Sequence, residues 1–361
     1  MRVAVIGGGA MGSATSWRLA RRGVEVTCFD RYSPPHAMGS SHGESRIFRT
    51  AYMEGEWYVP LLQESLGLWR ELEVETSTDL LTLTGALMIG PASSTTVAGA
   101  LQSARKHGLD ARLLSGRELA AYRGIVVGPD DVALLDVQAG FVRPEAAVAA
   151  MLSRSPDVKC DSPVHSLDEV VDRFDAVVVA AGAWTSELLP TLPLKVERQV
   201  LAWFAVEPGA DWLRPDRFPV FIRETKDAGD VYGFPTLDGT SVKIARHHDG
   251  EATDPTHVDR EVTGEELKPL RTFAKRDLRG VSDRLTRAVT CMYTNTPDEA
   301  FIVDRLPHDP RVVVVSACSG HGFKFTPVIG DIAADLVCDG VTRRDISHFA
   351  LSRFATSGDR P

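Results

Sequence analysis

Nothing in the 361 residues approaches roughly 18 consecutive apolar positions, so no membrane-spanning helix is expected. The opening Met1-Arg2-Val3-Ala4-Val5-Ile6 runs into glycine before a signal-peptide core could form. Cysteine is sparse and scattered. Cys28, Cys160, Cys291, Cys318 and Cys338 are odd in number, far apart and without a CxxC pair, which argues against a disulfide framework or a zinc site, and no metal is expected. No block of basic residues occurs, alone or interleaved with aromatics, and a net charge of −9 repels a polyanion, so a nucleic-acid partner is not expected. Repeats and low-complexity segments are missing too. These absences suit a chain of the reducing cytoplasm with no membrane partner. What is present is ample: 43% hydrophobic residues can bury a full core, and the length has room for two domains.

Val3-Ala4-Val5-Ile6 reads as a buried strand, followed at once by Gly7-Gly8-Gly9-Ala10-Met11-Gly12. Gly7, Gly9 and Gly12 fit GxGxxG: a tight turn, close approach to a pyrophosphate, and close helix packing. The helix that follows stops at Arg22-Gly23, and its first N–H groups would face phosphates. A second strand, Val24 to Phe29, ends in Asp30, where an acid should accept from a ribose. Strand, loop, helix, strand and acid in order point to dinucleotide binding, against a tight turn in some other α/β protein. NAD and FAD are not separated by this unit. The long Pro/Gly-rich loop from Arg31 to Ser45 favours an extended cofactor, since a nicotinamide unit would normally enter another crossover helix. Arg46 and Arg49 then stand beside apolar residues, as a solvated pair or as ligands.

Residues 56–73 read as an amphipathic helix with Leu62, Leu66, Trp69 and Leu72 on its core stripe. From Asp79 to Val137 short alternating runs and a helix near 95–107 open a second domain. Gln138 to Pro144 leads back through a helix at 144–153, and Asp175 to Trp184 is a buried strand running into a glycine turn. Further on, Asp238-Gly239 between alternating runs signals a hairpin. That turn would pair Phe234 with Lys243 and Tyr232 with Ala245, so Tyr232, Phe234, Lys243 and His247 share one face. An aromatic, an ammonium and an imidazole on one face suit a ligand better than solvent or a dry core. Thr253 to Arg284 reads as a polar, mainly helical surface segment.

Alternation over Ala288–Thr294 puts Val289, Cys291 and Tyr293 on one face. Cys291 is either a buried core thiol or a nucleophile, and Cys318 is its rival. Phe301–Asp304 and Val312–Val315 are core strands. Gly320-His321-Gly322-Phe323-Lys324 is a turn whose backbone can approach a ring, and Lys324 either faces that ring or ends a strand in solvent. The helix after Pro327 turns Ile329, Ile332, Ala333 and Leu336 inward, and the tail from Thr356 is expected to be disordered.

Five motifs occur in order: Ser41-His42-Gly43-Glu44-Ser45-Arg46-Ile47-Phe48-Arg49, Tyr232-Gly233-Phe234-Pro235, Lys243 with His247, Cys291-Met292-Tyr293-Thr294, and Ser319-Gly320-His321-Gly322-Phe323-Lys324-Phe325. With the glycine loop they resemble the monomeric sarcosine oxidase and N-methyltryptophan oxidase family of flavin-dependent secondary amino acid oxidases, from Val3 to about Phe354. The resemblance implies a two-domain flavoprotein like D-amino acid oxidase. Its FAD-binding, Rossmann-like α/β domain would take residues 1–78, 138–195 and 292–361. A mainly antiparallel α+β substrate domain would take 79–137 and 196–291. It implies FAD linked through Cys291 and held by Gly7, Gly9, Ala10, Met11, Gly12, Asp30, Arg31, Ser41, His42, Arg46, Ala181, Gly182, Trp184, Gly320, His321, Gly322 and Lys324. Arg49 and Lys324 would hold the substrate carboxylate, with Tyr293 and Ser45 beside it. Arg46, His42, His247 and Tyr232 would surround the reaction, and Lys243 would stabilise charge on oxygen as reduced flavin meets it.

The activity implied is oxidation of sarcosine or another N-methyl amino acid to an imine, with hydrogen peroxide formed from molecular oxygen, by a monomer. A cyclic imino acid of the pipecolate or dehydropipecolate type is the alternative substrate, because Cys318 stands where relatives usually carry a larger or different residue. An NAD-dependent dehydrogenase and a non-catalytic flavin-binding protein are the readings from other classes.

Overall fold

A computed structural model describes residues 1–155 and 157–354; the tail from Thr356 lies outside the described residues. The uninterrupted apolar runs form a six-stranded sheet in the order Ile302–Arg305, Val312–Ser316, Ala176–Val179, Arg2–Ile6, Glu25–Phe29, Asp157–Lys159. Every pair is parallel except the first. Strands covered on both faces need no polar alternation, which is why Val177-Val178-Val179 and Val312–Val315 read as continuous valine. Helices Ala10–Arg21 and Thr326–Cys338 cover one face, with Ile329, Ile332, Ala333 and Leu336 all buried. A Cβ on Gly12 would lie 1.6 Å from the Gly7 carbonyl oxygen, so only glycine lets the first helix sit this close to its loop.

The alternating runs build a nine-stranded sheet from residues 86–136 and 195–295. Its pairs are antiparallel apart from Val220–Thr225 beside Ala86–Pro91. Helix Gly264–Asp277 closes its core through Leu267, Leu270 and Phe273, opened by a Thr263–Glu266 capping box. Only this part of the expected 253–284 segment is α-helical; by Val281 the chain has entered the strand Val281–Asn295. That strand is continuous through positions 291 and 292 and pairs with Lys195–Val206, setting Cys291 opposite Gln199 and Tyr293 opposite Glu197.

The hairpin keeps its expected register, Tyr232 opposite Ala245 and Phe234 N–H donating to the Lys243 carbonyl at 3.2 Å. Its loop is longer than the two-residue turn expected, because the strands end at Gly233 and resume at Ser241. Pro235 has no N–H to continue the ladder, and Asp238 caps the loop by accepting from the N–H groups of Thr240 and Ser241 at 2.8 Å each. A three-stranded sheet of Arg46–Phe48, Gly140–Val142 and Leu81–Leu83 carries Arg46, and its first strand ends just before Arg49. Among the described residues no helix is long and apolar enough to cross a membrane, and no group of three metal-ligating side chains occurs.

Candidate active site

One elongated cavity runs from the glycine loop to the Gly320–Lys324 turn. At its first end the helix beginning at Ala10 has Gly9 as N-cap, with no side-chain cap and no acid in the first turn, so its positive end is open to an anion. Ser41 Oγ accepts from Ala10 N–H at 3.1 Å. Asp30 is buried and accepts from Gly8 N–H at 2.6 Å and Tyr32 N–H at 2.8 Å, which fixes the loop it faces. Ala181, Gly182 and Trp184, in the turn after Ala176–Val179, line the cavity here, and the Arg31 guanidinium lies 5.4 Å from the Trp184 ring while pairing with Glu187.

Midway, Cys291 faces the cavity with its Sγ 3.5 Å from Arg46 Nη2. The same guanidinium donates to the carbonyls of Ser45 and Ser40, both at 2.8 Å, so a permanent positive charge is fixed beside the thiol. Cys318 also lines the cavity, but its sulphur accepts from Thr294 N–H at 3.4 Å and burial pushes this thiol's pKa up.

At the far end stand two cations that the protein hardly exposes: Arg49 at 2% and Lys324 at 5%. Arg49 pairs with Glu54, and its Nη1 donates to the Ala51 carbonyl at 3.3 Å. Burial and then the Arg49 charge pull the Lys324 ammonium down to about 7, with Glu54 opposing them. Glu54 is itself held at about 2, because Arg49, His321 and Lys324 outweigh the burial that would raise it. Tyr232, His247 and Tyr293 close this chamber, with His247 Nδ1 3.3 Å from the Tyr293 hydroxyl. Burial, then His248, depresses His247 to about 3, so it is a neutral imidazole at ordinary pH. A Cβ on Gly320 would fall 2.6 Å from the Tyr293 ring and 2.7 Å from His247, which is why the turn there carries no side chain.

A family model described as FAD dependent oxidoreductase matches residues 2–336. Monomeric sarcosine oxidase from Streptomyces avermitilis is 38% identical to this chain, over 98% of each sequence. N-methyl-L-tryptophan oxidase from Yersinia pestis is 35% identical over 97% of this chain and 98% of its own. The chain belongs to the FAD-dependent oxidoreductase family. Its sequence relatives place it in the sarcosine oxidase and N-methyltryptophan oxidase group within that family. The solved structure of NikD, described as an unusual amino acid oxidase essential for nikkomycin biosynthesis, shares the fold with a TM-score of 0.83 at 24% identity, over 96% of each chain.

This flavin-dependent oxidoreductase has a cavity that suits its cofactor. The open helix end suits phosphates, and the hydroxyls of Thr294 and Ser316 line the cavity, buried and without a protein partner, as sites for a polar ring system would be. Of the residues expected at the site, Gly12, His42, Ser45 and Lys243 do not line the cavity. Lys243 lies behind its wall, where Nζ donates to the carbonyls of Gly43 at 2.8 Å and Ser45 at 2.6 Å and sits 4.3 Å from the Phe234 ring centre. Burial and then Arg46 lower its pKa well below the usual lysine range. His42 is buried with Nε2 unpartnered, and burial followed by Arg46 takes it to about 3.

Sequence reasoning missed the acids that hold these loops. Glu145 accepts from the N–H groups of Gly43 at 2.6 Å and Glu44 at 3.2 Å. Asp136, fully buried, accepts from Thr50 N–H at 2.6 Å and Ala51 N–H at 2.9 Å, and so fixes the segment just after Arg49. Glu54 and Tyr52 were also missed. In sequence each is an unexceptional residue a few places from an arginine.

Proposed function

We propose that this flavoenzyme oxidises the C–H beside the nitrogen of a secondary amino acid, with sarcosine or another N-methyl amino acid as substrate. The observation that carries the reading is the pair of buried cations, Arg49 and Lys324, at one end of a cavity that also holds Cys291 against Arg46. Two cations beside a chamber closed by Tyr232, His247 and Tyr293 suit a carboxylate joined to a small amine. For sarcosine the balance is sarcosine, oxygen and water giving glycine, formaldehyde and hydrogen peroxide.

In this reading Arg49 and Lys324 bind the carboxylate and so orient the amine, and fixed orientation supplies much of the rate. Gly7, Gly9, Ala10, Met11, Asp30, Arg31, Ser41, Ala181, Gly182 and Trp184 hold the cofactor's dinucleotide portion. Arg46, Cys291 and Gly320–Gly322 hold its ring. Bound FAD supplies the hydride acceptor and, once reduced, the electrons for oxygen. Cys291 is favoured over Cys318 for a covalent link because the guanidinium touches its sulphur. Lys243 serves oxygen only while its amine is charged, a state opposed by burial and Arg46 and favoured by its two carbonyl partners. The segments 1–78, 138–195 and 292–361 act as the cofactor domain and the rest as the substrate domain. The odd, scattered cysteines support a cytoplasmic setting, and the family likeness supports a monomer.

A panel of N-methyl and cyclic amino acids, assayed for peroxide with the protein and its Arg49→Met variant, tests the reading. Turnover of an N-methyl amino acid that collapses in the variant is expected. Carboxylate affinity that survives in Arg49→Met, or turnover of cyclic imino acids alone, overturns it.

A further inference from the structure

Tyr52 is 1% exposed and sits between the two cations. Its ring centre lies 4.2 Å from the Arg49 guanidinium carbon and 5.2 Å from Lys324 Nζ, and its hydroxyl is 3.4 Å from the same Nζ. His321 Nε2 is 3.0 Å from the Glu299 carbonyl, which can only accept, so Nε2 carries the hydrogen. The imidazole is neutral, being pulled to about 4 chiefly by burial. Nδ1 is therefore bare and must accept, and Tyr52 O–H donates to it at 2.6 Å. The phenol oxygen is left with its lone pairs for Lys324 N–H, and donating one hydrogen makes it a better acceptor of another. A second Lys324 N–H donates to the His321 carbonyl at 2.5 Å. With two of its three hydrogens so placed, the Lys324 ammonium has one remaining for a ligand.

We propose that Tyr52 is a positioning residue for the substrate carboxylate: its hydroxyl, locked by His321 against Glu299, aims the Lys324 amine, while its ring seats the Arg49 guanidinium. The inference rests on the reading of Arg49 and Lys324 as the carboxylate clamp. Its neighbours Tyr58 and Phe325, with ring centres at 5.2 and 5.5 Å, fix the ring edge-on, so the hydroxyl has little choice of direction.

The test uses the flavin-loaded enzyme in four forms: wild type, Tyr52→Phe, Lys324→Met and the double variant. Propionate, a carboxylate without an amine, is titrated by its perturbation of the flavin absorbance, and sarcosine turnover is followed by peroxide release. Tyr52→Phe keeps the ring under Arg49 and removes only the hydroxyl. Losing a hydrogen bond to a charged group should weaken propionate and raise the sarcosine KM by ~10-fold, while kcat falls by less than ~3-fold. The double variant should bind propionate no worse than Lys324→Met alone, because the hydroxyl acts through the lysine. Effects that multiply in the double variant, or a Tyr52→Phe protein that differs from wild type in melting temperature alone, overturn the inference. Wild-type propionate affinity in Lys324→Met overturns the clamp itself, and this inference with it.

Discussion

The cavity has two buried cationic stations, one midway along its wall at Cys291 and one at its far end, and they are neutralised differently. Around Cys291, the charges of Arg46 and Lys243 are met by backbone carbonyls of Ser40, Gly43 and Ser45 and by a thiol, none of which a ligand can easily displace. Around Tyr52, Arg49 is met by a full carboxylate, Glu54, and Lys324 by a phenol and one carbonyl. Dipoles fix a cation in place for good; a carboxylate partner can be exchanged for another carboxylate. The midway station is built to stay as it is and the far end to trade partners. Burial raises the stakes at both, since a cation left alone there is costly.

The sharpest break in this comparison is Arg49→Met. Removing one member of a buried pair with a carboxylate costs on the order of 3–5 kcal/mol, so kcat/KM for sarcosine should fall by roughly 150- to 5,000-fold. Steady-state peroxide assays measure it, and a loss below about tenfold would mean the far end is not the carboxylate site. Cys291→Ser addresses the midway station: acid precipitation should leave the variant's flavin in the supernatant and the wild type's in the pellet. Flavin that stays with the Cys291→Ser pellet would move the link to Cys318.

What could be read in advance follows from where each signal lies. The glycine loop, Asp30 and the valine strands are local patterns, and strand alternation put Tyr232 with Lys243 and Cys291 with Tyr293; pairing through Lys195–Val206 turns all four to the same face of the sheet. That face did not become one open wall, because the loop carrying Gly43 and Ser45 covers Lys243 while Tyr232 stays at the cavity. Period two tells which way a side chain points and not what comes to lie on top of it. Asp136 and Glu145 hold loops far from them in the chain, and a single carboxylate accepting backbone N–H groups leaves no spacing to detect. The extra length of the Phe234–Thr240 loop was visible in Pro235, which was read for its motif and not for its missing N–H.

A smaller effect separates the two stations by pH. Lys324 is drawn down to about 7 by burial and Arg49. Its charged form is therefore present below that pH and lost above it, so propionate should bind best on the acid side and weaken as pH rises through about 7. The limit for one linked proton is about tenfold per pH unit, and a bound carboxylate, by favouring the ammonium, moves the fall to higher pH. Arg49 stays charged, Glu54 titrates at about 2, His321 at about 4, and Tyr52 well above the usual tyrosine range, so none of them competes in this window. Lys324→Met should flatten the profile. A slope that persists in that variant would assign the proton elsewhere.

The smallest change is expected from Glu54→Gln, and it decides whether the far end really exchanges partners. Glu54 holds Arg49 with one oxygen, while its Oε2 is buried and unpartnered. An incoming carboxylate must share the guanidinium with it or displace it. Replacing the acid by an isosteric amide removes a competing charge and keeps an acceptor in place. Propionate should then bind more tightly, by ~3- to 10-fold, while the melting temperature falls because Arg49 loses its counter-charge. Competition and orientation predict opposite signs here. Weaker binding in Glu54→Gln would mean that the acid aims Arg49 at the substrate, as the carbonyls aim Arg46 at Cys291, and the two stations would then work alike.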